Sequence, residues 1–141
     1  MSFDRAIGVV GDFEALRPWL VLEDGAPDPR NQVSIMSSRV LDLVWQGRVP
    51  RTHPGDNIDV DLDLSYANLP TGTLLQVGTA DLRVSDEPND SCAKWKVRFG
   101  KAKAAYDWVR TCDNRPYRLR GLFCSVEQDG IVGLGDKAAN L

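Results

Sequence analysis

The sequence predicts a mainly β domain, a partly closed barrel or curled sheet that carries two or so short helices. Short apolar or alternating runs separated by turn residues recur along the chain, and only two segments show helical spacing. Strands and helices do not alternate strictly, so an open doubly wound parallel sheet fits poorly and a partly closed barrel fits better. A length of 141 residues suits one domain over residues 1–141 with one continuous core.

The elements follow in chain order. Asp24–Arg30, "DGAPDPR", concentrates prolines, a glycine and charges and reads as an exposed loop. "QVSIM" (Gln32–Met36) is short and β-branched, hence a strand. Ser37 and Ser38 offer N-cap hydroxyls, and Val40, Leu41, Val44 and Trp45 follow at helical spacing, predicting a helix over 38–47 that Gly47 stops. "RVPRTHPGDN" (Arg48–Asn57) is irregular loop. "IDVDLDLS" (Ile58–Ser65) alternates apolar and acidic residues, as a strand with one buried face does. "TLLQVG" and "ADLRVSD", joined through Gly78 and Thr79, predict a hairpin. Val97, Ala102, Ala105, Tyr106 and Val109 mark a second amphipathic helix over 97–109, weakened at Gly100. The tail from Leu119 reads as a closing hairpin through the turn at Asp129 and Gly130.

Composition excludes several functions. A hydrophobic fraction of 43% and a charged fraction of 26% are those of an ordinary globular chain. A net charge of −3 with interleaved signs provides no basic stripe for a phosphate backbone, so nucleic acid is not an expected partner. No apolar run approaches the roughly 18 residues of a membrane span, and "MSFDRAIGVV" lacks the apolar core of a secretory signal, so no membrane partner and a cytoplasmic location are expected. The widely spaced Cys92, Cys112 and Cys124 are odd in number, which argues for free thiols. With His53 as the single histidine, they provide no zinc-type ligand spacing.

Cys92 is the strongest candidate for chemistry. In "EPNDSCAKWKVRFG" it follows an irregular turn and precedes the second helix, and Lys94, Lys96 and Arg98 supply positive charge that favours a thiolate. Asp86, Glu87 and Asp90 oppose that effect. The alternative is a cysteine packed as a small apolar residue. Cys124, inside "GLFCSV", reads as core, and Cys112 as part of an exposed helix-end loop.

Residues in family order along most of the chain carry a resemblance. They are Gly8, Gly11 and Asp12 in "GVVGD", "QVSI" from Gln32, "PGDNI" from Pro54 and "LDLSYANLPTGTLLQVGTADLRVS" from Leu62. "SCAKW" around Cys92 and "LRGLFCSVEQDGIVGLGD" from Leu119 complete the set, which spans residues 8–136. In these the chain resembles the MOSC family, found at the C-terminus of molybdenum cofactor sulfurases and as standalone bacterial proteins. The resemblance implies a mixed β-barrel of the pyruvate-kinase type. It also implies that Cys92 matches the cysteine thought to bear sulfur as a persulfide or to ligate molybdenum of a pterin cofactor, molybdopterin. In eukaryotic amidoxime reductases of the family, which reduce N-hydroxylated compounds, the corresponding cysteine is a metal ligand. A sulfurtransferase or a redox protein is then the expected partner. Pyridoxal phosphate is associated with the family, but no lysine here has the context of a Schiff base. The chain departs from the pattern in two places. Only seven residues precede Gly8, so the family's first strand is short or missing, and Phe13 and Glu14 stand where many relatives have a histidine.

Around Cys92 the expected site contains Arg120, whose planar fork could clamp a small anionic ligand or form an ion pair. Lys94, Asn57 and Asp12 are further candidates for holding a cofactor, with turn stabilisation the structural alternative for Asp12, Asp56 and Asn57. His53 could act as a base toward Cys92, which would make the protein a Cys–His hydrolase, or could be a solvated loop histidine. A third function class is a non-catalytic binding module on the same barrel.

Overall fold

Nine strands appear among the residues that the computed structural model describes, namely 1–12, 21–45, 47, 55–90, 95–96 and 103–141. They are β1 (Ser2–Asp4), β2 (Gly8–Val9), β3 (Val33–Ser37), β4 (Ile58–Val60), β5 (Leu74–Val77), β6 (Ala80–Val84), β7 (Leu122–Gln128), β8 (Gly130–Ile131) and β9 (Ala138–Asn140). A curled, half-barrel sheet has the order β4-β3-β7-β6-β5-β9, and a small sheet has the order β2-β1-β8. Only the β3–β4 pair is parallel, because the chain crosses over through the helix α1 (Ser38–Trp45) between them.

Period-two patterning places the core. Ala80, Leu82 and Val84 of β6 and Leu122, Cys124 and Val126 of β7 are buried, while Asp81 and Arg83 stand on the other face. With Val33, Ile35, Leu75 and Val77 they fill the inside of the curl, each large side chain contributing about 1.5–3 kcal/mol. On β3 the alternation sends Met36 outward into a second cluster with Leu41, Val44, Trp45, Trp95 and Val109. The helix α2 (Lys103–Arg110) and α1 therefore share this apolar layer with Trp95.

The early expectations meet the structure unevenly. β3, α1 and the β5–β6 hairpin stand where patterning puts them, and α2 covers the described part of the second helix. Residues 97–102, with Gly100, and the loop 48–54 lie outside the described residues. The alternating run Ile58–Ser65 pairs only as far as Val60. Beyond it Asp63 accepts from the Ser65 N–H and Ser37 donates to the Leu62 carbonyl, so local side-chain bonds replace the ladder while Leu64 stays buried. Cys112 is exposed, in the 3₁₀ helix Cys112–Tyr117 rather than a plain loop.

The tail is a clear correction: β7 and β8 do not pair with each other as a closing hairpin. β7 joins β3 and β6, whereas β8 crosses to β1. The Arg5 N–H donates to Asp129 at 2.8 Å, and a Cβ on Gly130 would lie 2.4 Å from the Ala80 nitrogen, so the turn is packed flat against β6 and redirected. β1 is three residues long and pairs antiparallel with β2 and β8.

Asp28 caps the 3₁₀ turn Pro29–Asn31 by accepting from the Arg30 N–H, and it also accepts from the Arg30 guanidinium at 2.7 Å. The side-chain bond from Arg30 holds the Asp28 carboxyl below its ordinary value of 3.8. A depressed folded pKa stabilises the fold above the unfolded value, and that contribution disappears as pH falls through the folded one. Asp28→Asn should therefore flatten the acid limb of a stability-versus-pH curve below pH about 4 while leaving its neutral shape unchanged.

Candidate functional site

Arg120 occupies the turn that enters β7, and its Nη1 donates to both oxygens of Asp56 at 2.7 and 2.9 Å. The pair is desolvated, with side-chain exposures of 11% for Arg120 and 1% for Asp56. Its guanidinium carbon lies 5.8 Å from the Trp95 ring centroid, within cation–π range. One cation thus ties the loop before β4 to the residue three places after Cys92. The anion clamp expected at Arg120 already holds an internal carboxylate.

Asn57 and Asp12 come together, as neighbours of β3. The Asn57 amide oxygen accepts from the Ser34 N–H at 2.8 Å and from its hydroxyl at 3.0 Å, and the Asn57 amide nitrogen donates to Asp12 at 3.0 Å. The arrangement fastens the turn after β2 to β3. Cys92, Lys94 and His53 lie outside the described residues, as do Phe13 and Glu14.

Arg118 is the residue sequence reasoning missed. It sits in the left-handed region at φ 47°, ψ 50°, and is buried. Its Nη1 donates to the Leu64 and Leu69 carbonyls, and its guanidinium carbon stacks 3.6 Å from the Tyr66 ring centroid. The available signal was the spacing of Arg118 and Arg120 in "YRLRG", which brings two guanidinium groups to one place. Arg118 Nη2 and Arg120 Nε are buried and have no hydrogen-bond partner among the described residues. Buried orphan donors are costly, and an anion beside them would relieve that cost.

Both arginines line a cavity of about 200 Å³ whose wall also contains Tyr66, Glu87, Asp90 and Arg115. In the chain Cys92 falls two residues after Asp90 and three before Trp95. With Arg120 committed to Asp56, Arg115 and Arg118 share this wall with Glu87 and Asp90. No His/Cys/Asp/Glu group able to hold a metal ion occurs among the described residues.

Cys124 is buried, as its apolar strand requires, and burial pushes its thiol up to about 12. A folded pKa raised by desolvation leaves no useful thiolate near neutrality. In native buffer at pH 8, alkylation of Cys124 should be slower than that of the exposed Cys112 by at least two orders of magnitude and should become equal in denaturant, as read by peptide mass spectrometry.

Comparison with known proteins places this geometry in context. The family model for the MOSC domain matches residues 24–139. The crystal structure of YiiM from Geobacillus stearothermophilus is similar at a TM-score of 0.62 and 17% identity, over 80% of this chain and 55% of that one. YiiM from Escherichia coli is similar at 0.57 and 18%, over 86% and 59%. The YuaD protein from Bacillus subtilis is similar at 0.57 and 25%, over 98% and 82%. This chain thus spans between 55% and 59% of the length of the two YiiM chains. Among curated proteins none matches. No helix among the described residues is long and apolar enough to cross a membrane.

Proposed function

The chain belongs to the MOSC domain family, and from that premise we propose that Cys92 is a sulfur-carrying or molybdenum-ligating thiol serving the cavity that Arg115, Arg118 and Arg120 border. The observation that supports this reading is the pair of buried guanidinium N–H groups without a partner among the described residues, on two arginines whose cavity is also lined by Asp90, two residues before Cys92 in the chain. A thiolate is both a soft metal ligand and a sulfur nucleophile, so either role requires this residue type. As carrier, the Cys92 thiolate attacks the terminal sulfur of a donor persulfide. The new S–S bond forms on Cys92, the donor S–S bond breaks, and the donor leaves as a thiolate. A sulfurtransferase is the donor in that case.

The residue types present fit the family's molybdenum cofactor. Cys92 would hold the metal, and Arg118, Arg120 and Lys94 offer cationic partners for its anionic groups. When bound, the group would supply two-electron redox chemistry toward N-hydroxylated compounds, with a redox protein as partner. The chain's own arginines would hold negative charge in place.

A second reading draws on the two closed networks. Arg120 bonds to Asp56, and Asn57 to Ser34 and Asp12, so two expected ligand contacts are satisfied internally. That favours a binding module without chemistry, in which Cys92→Ala leaves partner binding unchanged.

The discriminating experiment incubates the purified protein with a persulfide donor, and separately with molybdenum cofactor, and reads Cys92 by intact-mass analysis and metal content. A persulfide or bound molybdenum lost in Cys92→Ala is the expected result. An unreactive Cys92 that takes up neither group overturns the chemical reading and leaves the binding module.

A further inference from the structure

A second cavity of about 620 Å³ opens between the β1–β2 turn, the 3₁₀ turn Pro29–Asn31 and the ends of β6 and β7. It shares no lining residue with the cavity that Arg118 and Arg120 line. Its charged wall residues form two groups. In one, Arg30 is committed to Asp28 and to Glu87 at 3.2 Å, and Asp86 in the wall also acts on Arg30, so acidic groups dominate.

The other group offers open guanidinium edges. Arg83 donates Nε to Glu127 at 3.0 Å and Nη1 to the Gly72 carbonyl at 3.1 Å, which leaves the edge of its fork at Nη2 open. Arg5 is anchored through its backbone, its N–H on Asp129 at 2.8 Å and its carbonyl on Gln32 at 2.9 Å. Its guanidinium has no hydrogen bond or ion pair among the described residues, although it lines the same cavity. Arg83, first through its hydrogen bond, and Arg5, more weakly through its charge, both hold the Glu127 carboxyl below its ordinary value. With Glu127 neutralised by Arg83, the Arg5 charge is left over. The Thr71 hydroxyl stands in the same wall, and Pro29 and Val84 add apolar surface.

Two guanidinium groups with open N–H edges in the wall of one cavity match a tetrahedral oxyanion, which accepts several hydrogen bonds at once. The acidic group around Arg30 selects against a second anion and accepts an amine or hydroxyl. We propose that this cavity binds a small phosphate monoester with an amine- or hydroxyl-bearing body, its phosphate on Arg5 and Arg83. The site needs neither Cys92 nor a cofactor.

The test is calorimetric titration of the purified chain with O-phosphoethanolamine, glycerol 3-phosphate and inorganic phosphate. Saturable binding of an ester, at least tenfold tighter than inorganic phosphate, is expected. Arg5→Gln should weaken it at least tenfold, and Cys92→Ala should leave it unchanged. Arg5 makes no side-chain contact whose loss would unfold the chain, so Arg5→Gln is the primary variant. Arg83→Gln, checked for folding by circular dichroism, is the second. Absence of saturation by any probe up to 10 mM, equal affinity for inorganic phosphate and the esters, or unchanged binding in Arg5→Gln would each overturn the proposal.

Discussion

Asp56→Asn is expected to lower the stability of the fold by about 3–5 kcal/mol, a large fraction of the roughly 5–15 kcal/mol available to a domain. The reason is asymmetric. Arg120 stays almost wholly buried when its carboxylate is neutralised, and an uncompensated interior cation costs far more than the pair contributes. In chemical denaturation the midpoint should fall with an unchanged m-value, and a thermal scan should show a drop of roughly 10 °C or more. Replacing both partners by apolar residues, as in Asp56→Leu with Arg120→Met, should recover most of the loss, since the desolvated charge is then gone. A single-variant cost below about 1 kcal/mol would mean that water reaches the pair and that it does not tie the loop before β4 to Trp95 as described.

Gly121→Ala should be at least as damaging. Gly121 has φ 93°, in a region that L side chains rarely adopt, and an added Cβ would stand 2.1 Å from the Ile35 carbonyl oxygen. Neither atom is at the flexible end of a side chain. Relief requires β3 and β7 to separate at the Ile35–Leu122 pairing, which opens the centre of the six-stranded sheet. A cost above about 4 kcal/mol is expected, with the variant largely insoluble or unfolded at 37 °C. Gly47→Ala is the control: φ is 70° there but nothing lies within 4 Å, so only the backbone penalty of about 1 kcal/mol applies. Equal stability losses in the two variants would show that backbone conformation, and not the close approach of the strands, decides the glycine at 121.

The candidate site was partly legible. The resemblance that includes Cys92, the arginine entering β7 and the Asp56–Asn57 pair were all visible as residue types. Their partners were not. Asp56 and Arg120 are 64 positions apart, and Asn57 and Asp12 45 apart, so no local pattern records that each pair closes on itself. Arg118 escaped notice because a basic residue in a turn ordinarily points into water. Only the fold reveals that its guanidinium caps two carbonyls and lies over Tyr66.

What the sequence by itself determined was which residues go inside and how each short segment is shaped. Period-two burial along β6, the helical spacing of the buried residues of α1 and the glycine-marked hairpin are local consequences of side-chain chemistry, so the chain carries them without its neighbours. Tertiary structure alone decided where β8 and β9 pair, which acid neutralises which arginine, and which guanidinium is left without a carboxylate. Backbone hydrogen bonds and ion pairs are satisfied by whatever partner the packed core brings within about 3 Å, and that distance is fixed by the whole chain at once.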